Sequence, residues 1–478
     1  MLDKMKSRHG TRSSSAARQR VPSSSDSEVR HEQRACALCL NNIDVPIPDH
    51  LIDQLVAGKV VLFAGAGIST ENAAVYGSTF YDTIRAELRI PGSETPTFPE
   101  LMSLYCQQAD GRKRLLERIY KRFEYIAAFP ELYRAATKFH RELSTLFYFQ
   151  TIVTTNWDDY FERECAAAPL VTGQDLLFAE LPERKVIKLH GSINNIGSIV
   201  ATEEDYGAAE NSLQHGTLGG TLKTLLATHT ILYAGYSLKD SDLLNINRYI
   251  RNELGPLAPT AYIVSVDRSS RERFEGLGLR PIFTDASHFL AIVKRHLLHD
   301  GHLLADSVFD RVESALARIG MEHDRLHDEF DPQDTPMMIY AAVYQDGLLH
   351  ALERVTARWK TGEYSHRCRV VQKIQQYERI KNLHMSRHRY LDAAYAQGYS
   401  NGLWWLVMDT KARAALPYYF NFGPTTEERE ISTVSSYRRI MRARLQVHHR
   451  GALKLAKQVV GKLGPGEVLH HQPFLATE

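Results

Sequence analysis

The stretch VVLFAGAGIS at residues 60–69 decides the fold of this chain. Its five leading apolar residues predict a strand that is covered on both faces, as in a parallel α/β sheet. Gly65 and Gly67 allow a tight turn, and Ser69 is placed to cap a following helix. The N–H groups of such a turn suit a pyrophosphate. Thr70 stands where a dinucleotide fingerprint has its third glycine, so a simple tight connection remains the alternative.

Composition indicates an ordinary soluble protein of two or more domains. The 478 residues are 44% hydrophobic and 24% charged, and the net charge is +2. That small charge does not indicate an obligate polyanion partner for the whole chain. Crossing a bilayer takes about 20 apolar residues in one run, and none of that length occurs, so we expect no membrane partner.

The cysteines predict a reducing, cytoplasmic location. The chain has five cysteines, an odd and scattered set, and no secretory signal. Cys36 and Cys39 form a single C-x-x-C pair without a second close pair to complete a tetrahedral zinc site. We interpret the cysteines as structural or incidental, with metal or redox use of this pair as the alternative.

The N-terminal residues predict a mobile tail. Residues 1–34 are rich in Ser and Arg, and their eight basic against four acidic residues give a charge of +4. So few large apolar residues cannot form a core. A transit peptide is the alternative, although such peptides have fewer acids. We therefore predict a mobile basic tail over residues 1–49.

Residues 50–298 alternate between strand and helix signals. This alternation predicts an α/β domain with a Rossmann-like, doubly wound parallel sheet. A long helical stretch, residues 78–146, carries breaks near residues 91–99 and 130, and shorter helices follow Asn156, Thr217, Lys239 and Ser269. The predicted strands are residues 60–64, 151–154, 186–189, 230–234, 261–266 and 281–284.

Strand signals fade after about residue 300, which predicts a separate, mainly helical domain over residues 299–478. The predicted helical segments are residues 303–318, 340–359, 367–383, 390–395 and 437–462, with an aromatic break near residues 417–424. No repeat with a period of 20–50 residues is evident.

Polar residues follow each predicted strand where it ends. Because parallel strands point their carboxyl ends to one crevice, these residues are predicted to share a ligand-binding edge. Taken singly, each has a structural interpretation as a helix cap, a packed histidine or an ordinary turn. The groups in chain order are Gly65-Ala66-Gly67-Ile68-Ser69, Asn156-Trp157-Asp158, His190-Gly191, Gly235-Tyr236-Ser237 and Asp267.

This ordered set resembles the sirtuin superfamily, whose landmarks are a Gly-Ala-Gly-x-Ser turn, a Thr-x-Asn-x-Asp segment, a His-Gly pair and a Gly-x-Ser turn. The segment GYSLKDSD at residues 235–242 is more similar to the bacterial sirtuin-like branch. That branch is associated with NAD+ cleavage in antiphage defence, where loss of NAD+ aborts infection. The resemblance therefore implies an NAD+ hydrolase that uses NAD+ as its substrate.

Two departures separate the chain from the deacylases of the superfamily. Zinc-dependent sirtuins carry two C-x-x-C pairs before the Gly-x-Ser turn, whereas this chain has no cysteine between Cys165 and Cys368. We therefore expect no zinc and no acyl-lysine groove. The segment TENAAVY at residues 70–76 also replaces the deacylase Gly-Ile-Pro-Asp-Phe-Arg lid.

The resemblance implies roles for individual residues. The catalytic residues would be Asn156, which holds the nicotinamide ribose, and His190, which accepts a proton from a ribose hydroxyl or from water. Asp158 would bind the nicotinamide carboxamide, and Asp267 would accept from the adenosine ribose. The remaining NAD+-binding residues would be Gly65, Ala66, Gly67 and Ser69 at the pyrophosphate, and Gly235 and Ser237 on the adenosine side.

Two other function classes stay open on the sequence. One is an NAD+-dependent protein deacylase or ADP-ribosyltransferase, and the other is a non-catalytic sensor of NAD+ or ADP-ribose. Asn156 and His190 favour an enzyme, because a sensor needs no general base.

The helical domain is the part of the chain in which we expect contacts with partners. The resemblance implies a homo-oligomer and a HerA-type ATPase or other defence-system partner. The basic residues of 437–462 leave nucleic acid open, although a solvated helix face is the simpler interpretation. Two adjacent histidine pairs, residues 448–449 and 470–471, lack the i, i+4 spacing that presents two ligands on one helix face, so no metal site is predicted.

Overall fold

A computed structural model describes residues 45–71, 75–180, 183–236, 248, 251–329, 331–409, 435, 448–464 and 467–474. Its α/β domain is built on a seven-stranded sheet of order β3-β4-β2-β1-β5-β6-β7, in which every pair is parallel. The strands are β1 (Val60–Ala64), β2 (Thr151–Thr154), β3 (Ala168–Leu170), β4 (Lys185–Lys188), β5 (Thr230–Ala234), β6 (Ala261–Ser265) and β7 (Leu279–Phe283).

Helices cover both faces of this sheet. All five residues of β1 are buried, with Leu62 facing one apolar core and Phe63 the other. Such two-sided burial explains the continuous apolar run in the sequence. The described helices are α1 (Asp49–Val56), α2 (Phe80–Glu87), α3 (Phe98–Cys106), α4 (Gly111–Ala128), α5 (Pro130–Ala136), α6 (Lys138–Ser144), α7 (Tyr160–Cys165), α8 (Glu203–His215), α9 (Thr217–Thr228), α10 (Arg271–Gly276) and α11 (Ala286–His299).

The structure confirms the predicted doubly wound parallel sheet, and all six predicted strands are present within one or two residues. The strand β3 was missed. It has three residues at the edge of the sheet and contains Pro169, whose missing N–H is tolerated only at such a position. The long helical stretch is also confirmed, and it divides into helices α2–α6.

The second domain is helical, as predicted. Its helix α14 (Ile339–Arg358) buries 13 of its 20 residues, as expected for a helix that lies at the centre of a bundle. The buried apolar residues of α14 and most of those of α16 (Tyr390–Val407) belong to one apolar core, separate from those of the sheet. The described helices are α12 (Asp306–Phe309), α13 (Val312–Glu329), α14 (Ile339–Arg358), α15 (Arg367–Ser386), α16 (Tyr390–Val407) and α17 (His449–Val460).

Some sequence predictions fall outside the described residues. They are the tail up to residue 44, the Cys36–Cys39 pair, the helix after Lys239, the aromatic break near residues 417–424 and the basic residues 437–447. Within the tail assigned to residues 1–49, Val45 and Ile47 are buried in the core beside α1. Across the part of the chain that the structure describes, no helix is both long and apolar enough to span a membrane.

Candidate active site

The sheet register aligns the carboxyl ends of the central strands. Ala64 of β1 lies opposite Thr154 of β2 and Ala234 of β5, and Thr154 lies opposite Lys188 of β4. The residues that follow these positions therefore emerge along one edge of the sheet. Asn156 and His190 each stand two residues beyond a paired position of adjacent strands.

The glycine turn packs directly against the turn that follows β5. A Cβ atom added to Gly65 would lie 2.5 Å from the Gly235 carbonyl oxygen, and Gly67 donates a 3.0 Å hydrogen bond to that oxygen. Gly235 has φ +64°, and a Cβ there would lie 2.6 Å from the Ile68 nitrogen. The three glycines therefore allow two backbone turns to touch.

The turn itself differs from the prediction. Residues Ala66–Ile68 form one 3₁₀ turn, and Ser69 ends it rather than capping a helix. The N–H groups of Gly65, Gly67, Ile68 and Ser69 all donate to backbone oxygens. Among residues 65–69 the amide of Ala66 alone has no backbone acceptor in the described part of the chain. Within residues 65–69, the predicted array of outward N–H groups is therefore reduced to the single amide of Ala66.

Asn156 is the centre of a buried polar group. It is 6% exposed, and its Nδ2 donates to the Gly65 carbonyl oxygen and the Ser69 hydroxyl, both at 3.3 Å. Its backbone N–H donates to the Thr154 hydroxyl at 3.0 Å. The Oδ1 atom is buried without a hydrogen-bond partner. Since buried polar atoms are normally paired, this acceptor is available to a ligand or to water.

Asp158 joins the same group through Ser69, whose hydroxyl donates to its carboxylate at 2.9 Å. Its other oxygen accepts from the Tyr160 N–H at 3.4 Å. The fully buried Lys188 donates to the Asp158 carbonyl oxygen and, at 3.0 Å, to Glu162. Burial raises the pKa of the Asp158 carboxyl, and the nearby Lys188 ammonium opposes that rise. Asp158 is therefore held by the protein on both oxygens.

His190 lies at the end of β4 and is 6% exposed. Its ring contacts Tyr206 edge-on, with ring centroids 4.8 Å apart. The neighbouring loop is tied to the Asn156 loop, because the Ile193 N–H donates to the Trp157 carbonyl oxygen at 2.8 Å. We call Gly65, Ser69, Asn156, Asp158 and His190 the sheet-edge cluster.

Of the three predicted adenosine-side residues, the structure describes Gly235 and Asp267, whereas Ser237 lies outside the described residues. Asp267 follows β6 and is exposed, where it accepts hydrogen bonds from Ser269 and Ser270. Those bonds lower the pKa of its carboxyl. Gly235 is in contact with the glycine turn.

Two residues near the cluster, Arg122 and Tyr206, were not among the predicted site residues. Arg122 of α4 donates to Glu71 at 3.1 Å and stacks on the Tyr76 ring at 4.0 Å, which holds both ends of residues 71–76. Tyr206 lies on α8, whose start was signalled by the capping pair Thr202 and Asp205. No local pattern in the sequence marked Arg122.

Comparison with known proteins gives a consistent result. Residues 150–282 match the family model described as SIR2-like domain. The chain is 28% identical over 205 residues to the NAD(+) hydrolase ThsA of Enterococcus faecium, covering 42% of this chain and 41% of that protein. It is 30% identical over 205 residues to the NAD(+) hydrolase ThsA of Cytobacillus dafuensis, covering 41% and 39%.

A further relative is the Defense-associated sirtuin 2 of Bacillus subtilis, 23% identical over 143 residues, which are 27% of this chain and 14% of that protein. The chain spans about two fifths of the length of the two ThsA relatives. The family match includes Asn156, His190 and Gly235, whereas the glycine turn lies before it.

Proposed function

Because this chain carries a SIR2-like domain of the bacterial sirtuin-like branch, we propose that it hydrolyses NAD+ to nicotinamide and ADP-ribose. The observation that carries the proposal is the buried Asn156 amide, whose Oδ1 has no partner at the edge where β1, β2 and β4 end. An unpaired acceptor in a buried position suits a ribose hydroxyl or an attacking water. The names of the ThsA relatives support the same activity.

The proposed reaction needs few catalytic groups. Water attacks C1′ of the nicotinamide ribose, the C1′–N bond breaks, and its electron pair stays on the nicotinamide nitrogen. The leaving group is then neutral, and the water proton passes to His190. Asn156 Oδ1 orients the water or the ribose hydroxyl, which places the reactants at attacking distance.

The other sheet-edge residues would bind or position NAD+. The glycine turn would lie along the pyrophosphate, with the Ala66 amide as its donor, and Gly65 and Gly67 would allow the turn to pack against Gly235. Gly235 would support this turn from β5. Ser69 would connect Asn156 to Asp158, so that Asp158 acts mainly by fixing Ser69. A contact of Asp158 with the nicotinamide carboxamide, and contacts of Ser237 and Asp267 with adenosine, remain predictions.

The biological role follows from the cost of such an activity to a cell. An unregulated NAD+ hydrolase depletes a shared cofactor, so we propose a defence function in which cleavage in the cytoplasm aborts infection. The helical domain, residues 299–478, would form the homo-oligomer or bind a regulatory partner such as a HerA-type ATPase. Removing it from an active oligomer should change assembly and the control of NAD+ cleavage together.

Product analysis tests the proposed reaction. Purified full-length protein and cells that express it are analysed for nicotinamide and ADP-ribose, with and without an acyl-lysine peptide. We expect both products without peptide, and loss of at least about 100-fold in rate for His190→Ala, because general-base catalysis contributes about that much. The matched control is His215→Ala, an exposed histidine of the same domain.

Three results would contradict the proposal. One is the formation of O-acyl-ADP-ribose only when the peptide is present, which indicates a deacylase. The second is intact NAD+ in both the purified reaction and the cells. The third is full activity of the His190→Ala variant.

A further inference from the structure

A cluster of histidines lies in the helical domain, far in sequence from the sheet edge. His323 and His327 stand one turn apart on α13, and their Nε2 atoms are 3.1 Å apart. Two nitrogens bound to one tetrahedral zinc ion, with bonds of about 2.0–2.1 Å, are separated by about 3.3–3.4 Å. The pair is therefore spaced closely enough to share one ion.

Two further ligand atoms reach the same place from other parts of the chain. Asp346 of α14 places Oδ1 3.9 Å from His323 Nε2 and 3.1 Å from His470 Nδ1. The ligand atoms of His323, Asp346 and His470 all lie within 4.8 Å of one another. These two imidazoles and one carboxylate are donors typical of zinc and similar divalent transition metals, and His327, whose Nε2 contacts His323 Nε2, can add a third imidazole.

Hydrogen bonds outside this group orient its ligand atoms. His323 Nδ1 lies 3.0 Å from Gln345 Oε1, which only accepts, so Nδ1 carries the proton and Nε2 presents its lone pair. The other Asp346 oxygen accepts from the His471 N–H at 2.7 Å, which turns Oδ1 toward the histidines. Partners of this kind fix metal-binding side chains in known sites.

The cluster is buried on one side and open to solvent on the other. His323 and Asp346 are buried, whereas the His470 side chain is 55% exposed and gives an ion a path to the site.

We propose that His323, His327, Asp346 and His470 bind one divalent transition-metal ion of the Zn²⁺ type. With all four residues bound to the ion, no open position is left for a substrate, so the proposed site is structural. Its ligands come from α13, α14 and the terminal segment, residues 467–474. A bound ion therefore joins that segment to the helical bundle. His471 of the segment already contacts the bundle, because its Nε2 lies 3.1 Å from Asp392 Oδ1 of α16.

Metal binding by the full chain tests this proposal. Chelator-treated protein is incubated with Zn²⁺, separated from free ion, and analysed for bound metal in a Cys36→Ser/Cys39→Ser background, which removes the C-x-x-C pair. We expect about one Zn²⁺ per chain, since one ion satisfies all four ligands. Co²⁺ should give the visible absorption of a tetrahedral nitrogen and oxygen site, without a thiolate charge-transfer band.

Variants connect the ion to these residues. The substitutions His327→Gln and His470→Gln should each weaken Zn²⁺ binding at least about tenfold, and the double variant should bind none. His299→Gln is the control, because His299 is an exposed histidine outside the cluster. Zn²⁺ should also raise the melting temperature of the parent protein but not of the double variant.

The proposal fails if the parent protein takes up no Zn²⁺. It also fails if the double variant binds Zn²⁺ with unchanged stoichiometry and affinity. Suppose that the parent binds no ion and that the double variant melts at a lower temperature than the parent in metal-free buffer. The cluster would then be only a hydrogen-bonded network. The His327 and His470 side chains are both at least partly exposed, so we expect the variants to fold. A melting curve in metal-free buffer identifies any variant that does not.

Discussion

The sheet-edge cluster and the histidine cluster, defined by His323, His327, Asp346 and His470, are built in different ways. In the first, strand register aligns the residues along one edge of the sheet, and Asn156 bonds mainly to the turn that follows the adjacent strand. In the second, residues from two helices and a terminal segment meet mainly through side chains. Backbone register therefore pre-forms the first cluster, whereas the second depends on how separate segments pack.

This difference has a consequence for stability and function. Loss of one side chain at the sheet edge should leave the neighbouring strands in place, since their pairing uses backbone atoms. Loss of one side chain from the histidine cluster should release the terminal segment, residues 467–474, whose described contacts are largely side-chain contacts. The predictions below are ordered from the largest expected effect to the smallest.

The largest effect on stability is expected at the base of the sheet edge. Lys188→Met leaves Glu162 buried without its partner and should lower the free energy of unfolding by about 3–5 kcal/mol. The control Lys113→Met removes an exposed ion pair with Glu117 and should cost less than about 1 kcal/mol. Chemical denaturation measures both, and equal losses would mean that the buried pair does not stabilise this edge.

The contact between the two turns is the next test. Gly235→Ala adds a Cβ against Ile68 at φ +64° and should lower the free energy of unfolding by about 2–4 kcal/mol, through backbone strain and overpacking. Gly301 has φ +73° with open space around it, so Gly301→Ala carries the strain alone, about 1–2 kcal/mol. A Gly235 variant no less stable than the Gly301 variant would show that the turns are not in close contact.

The third test is the acid sensitivity that the buried His140 of α6 gives to the protein. Burial lowers the pKa of His140 to about 3, whereas an unfolded histidine titrates near 6.5. The unfolded chain therefore binds this proton first, and stability falls as the pH falls from about 6.5 toward 3.

The variant His140→Leu removes this proton uptake. Between pH 7 and pH 5 the variant should lose about 2 kcal/mol less stability than the parent. In the parent, proton uptake by the unfolded His140 costs about 1.4 kcal/mol for each pH unit below about 6.5, which is about 1.5 units at pH 5. The exposed His215→Leu variant should follow the parent. Urea denaturation at the two pH values measures the free energy of unfolding. An equal loss between pH 7 and pH 5 for the parent and for His140→Leu would contradict the low pKa of His140.

The smallest effect is expected at the terminal segment. His471→Ala removes a 3.1 Å contact with Asp392 and a stacked contact with Tyr395, at 4.4 Å between ring centroids. We expect a loss of about 1 kcal/mol, in the range of a partly exposed pair and one ring contact. Limited proteolysis should cut the variant faster within residues 467–474. An unchanged cleavage rate would indicate that other contacts hold the segment.

The features that could be predicted from the sequence are those that depend on short-range patterns of residues. The apolar run of β1 predicted the sheet, and the polar residues after β2, β4 and β5 predicted the edge that we propose as functional, because strand burial and strand ends have short-range patterns. It could not reveal that the Ser69 hydroxyl bonds to Asp158 rather than capping a helix, since that contact spans 89 residues. The pairing of His323 with His470 depends on bundle packing in the same way, although the i, i+4 spacing of His323 and His327 was visible.

The central claim is that the Asn156 amide acts on the ribose of NAD+. The most direct test is the rate of nicotinamide release by the full-length protein, compared between the parent, Asn156→Ala and the exposed control Asn211→Ala. The account predicts that Asn156→Ala loses at least about 100-fold in rate with an intact fold, while Asn211→Ala keeps the parent rate. Parent-like nicotinamide release by a folded Asn156→Ala variant would contradict it.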